Sequence, residues 1–424
     1  MFKLRKSRIL TVLLILPVII FAYLMFSSQQ PDLTVVGYIS EADGLGRQSL
    51  ELIDAFRKEL SVNFVRTRKE KGERLPERFL SILEGKKPRW GKVIIFEDML
   101  WRPNKEYYKK ILSSDRNKSI RIAYSLWEST KIPDEWVDIL NSHFDAVVVP
   151  CPFLVQTYTN SGVKIPIFEL PLGLNLDEFL KEPIKQNPGK PFVFGNLSAC
   201  SERKNQVLLV RAFAKAFGND PDVLLRINSR YGEKEVSDAI ENEISRLQLD
   251  NVIFTKSALS KKEYLDLFKS IDCYVSPSKG EGYSIQPREA MALGIPVIVT
   301  NNTGQEVICD SGLVKTVSST TPEPAVFPWG ERYGQYFDCD GQELANAMKE
   351  VRSSYFTYLQ KAHECRKWTE QYCYNNLRAY FYSLIKPGKV FLSEEDITEL
   401  DRVITSSVKL FCKYKRLLTM EKES

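Results

Sequence analysis

The feature that most constrains this chain is a strand–helix alternation that runs along it twice. "LTVVGYIS", "SVNFVRT", "KVIIFED", "RIAYSLWE", "AVVVP" and "IFELP" read as strands, with helical patterns such as "RQSLELIDAFRKEL" and "PDEWVDILNSHF" between them. The polar connector "KEPIKQNPGKP", Lys181 to Pro191, interrupts the series. It then resumes with "FVFGNLS", "DVLLRINS", "NVIFTKS", "DCYVSPS" and "PVIVTN". Such alternation predicts parallel sheets covered on both faces. Two doubly wound α/β domains follow, in keeping with 424 residues, more than one core usually holds. Sheets of this kind bind ligands beyond the carboxyl ends of their strands, so the cleft between the two is the expected site.

The divisions expected are a basic tail and membrane anchor over 1–30, a first domain over 31–185, a second over 186–387 and a terminal helix over 388–424. The anchor is "ILTVLLILPVIIFAYLMF", Ile9 to Phe26, uncharged and preceded by Lys3, Arg5, Lys6 and Arg8. It just reaches a bilayer span. A cleaved signal peptide would have a shorter apolar region and a small-x-small site after it, so an uncleaved anchor is the preferred reading. The basic flank then keeps the N-terminus cytosolic and puts everything from Pro31 across the membrane. In the terminal helix Ile397, Leu400, Ile404, Val408 and Phe411 recur at helical spacing, which gives it one face to bury. A net charge of +5 makes no case for nucleic acid, and the eight cysteines form no CxxC pair that would point to a metal.

The stretch "SKGEGYSIQPREAMALGIPVIVTN" sits where a strand ends in a glycine-rich loop and a short helix begins, with Pro287 in the first turn. Free backbone N–H groups at such a helix start, here around Gly282, Tyr283, Ser284 and Ile285, can hold phosphate. Glu281 and Glu289 lie on either side of it, and ionised carboxylates are natural acceptors for the vicinal hydroxyls of ribose or hexose. Helix capping is the plain alternative. Cations for a diphosphate are supplied by "GNLSACSERKNQ", where Arg203 and Lys204 fall between a strand end and a helix. A solvated basic pair is the other reading of those two.

These segments, in this order, resemble the retaining glycosyltransferases of family 4 (glycosyl transferases group 1). "EGYSIQPREAMALGIPVIVTNNTGQEVI" is similar to that family's E-x7-E segment, "ERKNQVLLVRAF" to its basic segment, and "VVVPCPFLVQTYTNSGVKIPIFELPLGLNLDEF" to the run entering its linker. The resemblance covers about Leu33 to Ser318. It implies a GT-B fold: two Rossmann-like domains facing a cleft, the first on the acceptor side and the second binding a nucleotide sugar. It further implies hexosyl transfer from a UDP- or GDP-linked donor to a hydroxyl of a glycan, glycolipid or glycoprotein with retention of configuration and no metal; the anchor's charge, for its part, suits a Golgi-like lumen if the chain is eukaryotic and leaves the sidedness open otherwise. Carried over by residue, Glu289 would bind ribose, Glu281 the donor hexose, and Lys204 with Arg203 the departing diphosphate. Gly44, Gly46 and Arg47 of "EADGLGRQS" would line the cleft, although a plain turn and helix cap also accounts for that loop.

Two departures stand out. Asn196 occupies the donor-side position where many members carry arginine, with Arg203 as the substitute. No histidine matches the family's active-site one, since His143 reads as a helix-end residue. "YSLWESTKIPDEW" takes that place and nominates Trp127, Glu128 and Ser129 on the acceptor side, with Trp127 equally readable as core. Asp338 and Asp340 of "FDCDG" offer a metal-dependent DxD alternative, but Asp340 is more simply a helix cap. A non-catalytic sugar-nucleotide or glycan binder of the same fold is the other alternative. A dinucleotide-dependent dehydrogenase is excluded by the absence of GxGxxG after the first strand.

Overall fold

The computed structural model describes residues 30–40, 44–67, 90–100, 119–328 and 330–385. The expected anchor at Ile9–Phe26 and the terminal helix over 388–424 lie outside them. Among the described residues no helix is long and apolar enough to cross a membrane.

The first sheet comprises β1 (Leu33–Gly37), β2 (Val62–Arg66), β3 (Val93–Glu97), β4 (Ile120–Tyr124), β5 (Ala146–Val149) and β6 (Ile167–Glu169), in the spatial order β2-β1-β3-β4-β5-β6. The second comprises β7 (Phe192–Leu197), β8 (Val223–Ser229), β9 (Val252–Lys256), β10 (Cys273–Ser276), β11 (Val297–Asn301) and β12 (Lys315–Ser318), in the order β12-β11-β10-β7-β8-β9. Every pairing in both is parallel. Continuous apolar runs such as "LTVVG" and "AVVV" are buried throughout, as strands covered on both faces must be. The strand order reverses between β1 and β3 in one sheet and between β7 and β10 in the other. These are the two points where an open α/β sheet leaves a crevice for a ligand.

Two elements escaped the sequence reading. β13 (Thr321–Val326) and β14 (Arg332–Asp338) form an antiparallel arm outside both sheets. The arm leaves the second domain and packs on the first, with Ala325, Phe327 and Tyr336 in one apolar cluster with Trp127, Ile132 and Trp136. The helix Tyr374–Ile385, expected within the second domain, also returns to the first. Its Phe381 stacks on Tyr124 at 6.1 Å and meets Phe56 of the helix Gly44–Phe56 edge-on at 6.5 Å. A sequence-ordered boundary misses both because the chain crosses between the domains more than once.

Candidate active site in the interdomain cleft

At the β7/β10 reversal the loop after β7 carries Arg203 and Lys204, and the loop after β10 carries Glu281. Topology alone makes them neighbours. Lys204 Nζ donates to Glu281 Oε1 at 2.5 Å and Arg203 Nη1 to Oε2 at 3.0 Å, while Ser278 Oγ donates to Oε1 at 2.7 Å. The residue's backbone is fixed as well, its N–H donating to Thr303 Oγ1 at 2.9 Å and its carbonyl accepting from the Gly304 N–H at 2.8 Å. Burial pushes this carboxyl up, but the charges of Lys204 and Arg203 and their hydrogen bonds outweigh it and hold the group at about 2. Burial lowers Lys204, with the charge of Arg203 adding to the effect against Glu281. The result is an ionised carboxylate under two cations, 4% exposed.

Backbone strain collects here. Asn205 directly after Lys204, Ser284 at the cap of the helix Ile285–Ala292, and Thr303 beneath Glu281 all have positive φ, at 58°, 66° and 47°. A β-branched threonine rarely adopts that region, and such residues concentrate where geometry is fixed for function.

Glu289, one turn into the helix, is fully buried. Its Oε1 accepts from Arg47 Nη2 at 2.7 Å and its Oε2 from the Tyr264 hydroxyl at 2.6 Å. Arg47 reaches it from the helix that follows β1, so this pair ties the two domains together. Burial would lower the Arg47 guanidinium, and the charge of Glu289 raises it above its ordinary value. Beside Arg47 and Tyr264 opens a cleft lined by Gly44, Ser198, Arg230, Ile285 and Gln286 among others. A second pocket shares Arg47, Arg230 and Tyr264 with it and has Glu51 in its wall. Burial lifts the Glu51 carboxyl to about 7 despite Arg47 beside it.

Several candidates sit elsewhere than expected. Gly282, Tyr283 and Ser284 are buried beneath the cleft rather than lining it, because Arg288 ties down their turn. Its guanidinium donates to the Tyr283 and Ser284 carbonyls and stacks 3.9 Å from the Tyr283 ring. Of the proposed helix-start groups, Ile285 faces the cleft, joined by Gln286. Asn196 is occupied within the fold, donating to the Val275 carbonyl at 2.8 Å and accepting from Ser198 Oγ at 2.7 Å. Gly46 serves packing, since a Cβ there would come within 2.5 Å of the Ser40 backbone. Trp127 is 1% exposed and stacks on Phe327 at 4.5 Å. It belongs to the core because the β13–β14 arm covers it. Ser129 lies beneath the same arm, whereas Glu128 faces Arg203, whose Nη2 donates to its Oε1 at 3.1 Å. His143 is the last residue of the helix Asp134–His143. Asp340 caps the helix Gly341–Ser353 by accepting from the N–H groups of Gln342 and Glu343, and Asp338 accepts from Asn205 Nδ2 at 2.7 Å, so the two are not paired toward a metal.

The sequence reading missed Tyr264, Arg230, Ser198 and Ser278. Tyr264 stands in the helix Lys261–Lys269. Only the fold reveals that its hydroxyl meets Glu289 and that Arg230 lies 4.9 Å over its ring.

Comparison with known proteins agrees with this geometry. Residues 177–323 match the family Glycosyl transferases group 1. An uncharacterized glycosyltransferase of Methanocaldococcus jannaschii is 31% identical over 120 residues, 28% of either chain. The alpha-1,3/1,6-mannosyltransferase ALG2 of Mus musculus is 21% identical over 223 residues, 47% of this chain and 51% of that one. The chain thus spans between about a quarter and a half of these relatives. Among solved structures, sucrose-phosphate synthase from Thermosynechococcus elongatus superposes with a TM-score of 0.63 at 15% identity, over 84% of this chain and 98% of that one. Anabaena HepE in complex with UDP gives 0.59 at 14% identity, over 83% and 99%. These likenesses show the two-domain GT-B fold.

Proposed function

We propose that this chain, which its residues 177–323 make a member of the group 1 glycosyltransferases, moves a hexose from a nucleoside diphosphate donor to a hydroxyl acceptor with retention of configuration. The observation that carries the reading is the buried Glu281 carboxylate held ionised between Lys204 and Arg203 at the β7/β10 crevice. The UDP complex of HepE and the mannosyltransferase relative support a donor of this class.

In this reading Glu281 contacts the hexose beside its reacting carbon, and Lys204 stabilises the diphosphate as the carbon–oxygen bond to it breaks. The acceptor oxygen bonds to the same face of that carbon, and its proton passes to an oxygen of the departing diphosphate. The protein supplies position and charge rather than a nucleophile. Ile285 and Gln286 present the helix start to the phosphates. Glu289 takes the ribose hydroxyls on lone pairs left beside, or vacated by, Arg47 and Tyr264. No metal enters this scheme. A membrane anchor through Ile9–Phe26 belongs to the same proposal, supported by the apolar run and its basic flank.

The test is incubation with a panel of UDP- and GDP-hexoses and glycan acceptors, with the anomeric configuration of the product read by NMR. A retained glycoside from one donor class, unaffected by EDTA, is the expected result. An inverted product, or activity that EDTA abolishes, contradicts the reading.

A further inference from the structure

The two cations over Glu281 do not have the same freedom. Lys204 has Glu281 as its charged partner. Arg203 is fixed at three points, its Nη1 donating to the Gly280 carbonyl at 2.9 Å and to Glu281 at 3.0 Å, and its Nη2 to Glu128 at 3.1 Å. Glu128 belongs to the first domain, so this guanidinium spans the cleft.

The β13–β14 arm holds both ends of that span. On the first domain it grips the residues flanking Glu128. Phe327 stacks on Trp127, Trp127 Nε1 donates to Ser129 Oγ at 2.8 Å, and Ser129 Oγ donates to the Tyr333 carbonyl at 2.5 Å. Thr130 exchanges hydrogen bonds with Gln335 at 3.3 and 2.9 Å. On the second domain the buried Lys279, two residues before Glu281, bridges to Glu323 at 2.8 Å and lies 3.7 Å from Asp338, while the Phe337 N–H donates to its carbonyl at 2.9 Å. Gly280 allows all three pieces to meet, since a Cβ there would lie 2.3 Å from the Glu128 carbonyl and 2.6 Å from the Tyr336 ring.

We propose that Glu128 is a positioning residue that acts through Arg203, the arm holding both so that Glu281 takes its working place only when the domains are docked. The work of the two cations then divides. Lys204 meets the diphosphate, and Arg203 serves as a fixed strut rather than a phosphate ligand. This rests on the transferase reading above.

The test compares full-length wild type with Glu128→Gln, Glu128→Asp, Arg203→Lys and Lys204→Ala. UDP and GDP serve as binding probes in calorimetry, and turnover of UDP- and GDP-hexoses with glycan acceptors is followed as released UDP or GDP. Glu128→Gln is near-isosteric and keeps the fold, which thermal melting checks. The expected result is a ten- to hundredfold fall in kcat for Glu128→Gln with nucleoside diphosphate affinity within twofold of wild type, and partial rescue by Glu128→Asp. Arg203→Lys behaves in the same way, and its combination with Glu128→Gln costs no more than either alone. Lys204→Ala weakens diphosphate binding at least tenfold. Unchanged kcat in Glu128→Gln, or loss of diphosphate affinity in Arg203→Lys matching that of Lys204→Ala, overturns the proposal while leaving the transferase reading intact. If wild type neither binds UDP or GDP nor turns over their hexose esters, both fall.

Discussion

Each sheet of this protein has one reversal of strand order, and each reversal carries a buried glutamate, but the two are opposite in chemistry. At the β7/β10 crevice Glu281 lies under Lys204 and Arg203 and is held at about 2. At the β1/β3 crevice Glu97 ends β3 fully buried, with Ser49 and Gln48 facing it and neither in good hydrogen-bond geometry. Burial, offset only in part by those neutral groups, raises it to about 8. The same topology thus yields an ionised carboxylate in one domain and a protonated one in the other. The lesson is that the fold supplies the crevice, and the basic pair after β7 supplies the charge.

The largest effect that could break this contrast comes from Glu281→Gln. It leaves Lys204 and Arg203 buried without their carboxylate, a change that costs about 3–5 kcal/mol in comparable pairs, and it removes the group placed at the hexose. Chemical denaturation read beside turnover should show both losses. Glu97→Gln should act in the reverse direction. Because the folded-state value lies above that of the unfolded chain, the proton is held more tightly when folded, and stability falls as the pH rises from about 4.5 to about 8. The glutamine removes that fall. At pH 9 it should stabilise by about 5 kcal/mol, at ~1.4 kcal/mol per tenfold change in proton affinity, and at pH 4 it should do almost nothing. Denaturation midpoints at the two pH values measure this.

Arg47→Ala sharpens the comparison, because Arg47 carries the first domain's charge across to Glu289. Removing it should cost about 2 kcal/mol, less than for Glu281 because Arg47 is partly exposed while Glu289 keeps its bond from Tyr264. The smallest effect is expected from Asp340→Ala, about 1 kcal/mol for a lost helix cap. Turnover should stay unchanged with or without EDTA, as befits a cap rather than a metal ligand.

How much was legible in the sequence follows from what kind of information each feature needs. Strands such as "AVVVP" and "PVIVTN" declare themselves by apolar runs bounded by Gly, Pro and Asn, Glu281 and Lys204 by their place after strand ends, and Glu289 by its place in the helix that follows. The β13–β14 arm does not. Pro322, Pro324 and Gly334 argue against strands, and a two-stranded ribbon accommodates them because both of its strands are edges. Trp127 read equally as cleft or as core, because the arm that buries it lies some two hundred positions later in the chain. Partners such as Arg47 for Glu289 and Glu128 for Arg203 depend on how two sheets face each other, which no local pattern encodes.

The central claim is that the paired carboxylate at the second crevice, and not its protonated counterpart in the first, belongs to the transfer centre. Hexose transfer from a labelled UDP- or GDP-sugar by wild type, Glu281→Gln and Glu97→Gln, assayed together at pH 7, tests it most directly. A fall of about 10²–10³ is expected for Glu281→Gln, and turnover within about twofold of wild type for Glu97→Gln. Equal product from wild type and Glu281→Gln, or the large loss appearing in Glu97→Gln instead, would contradict it.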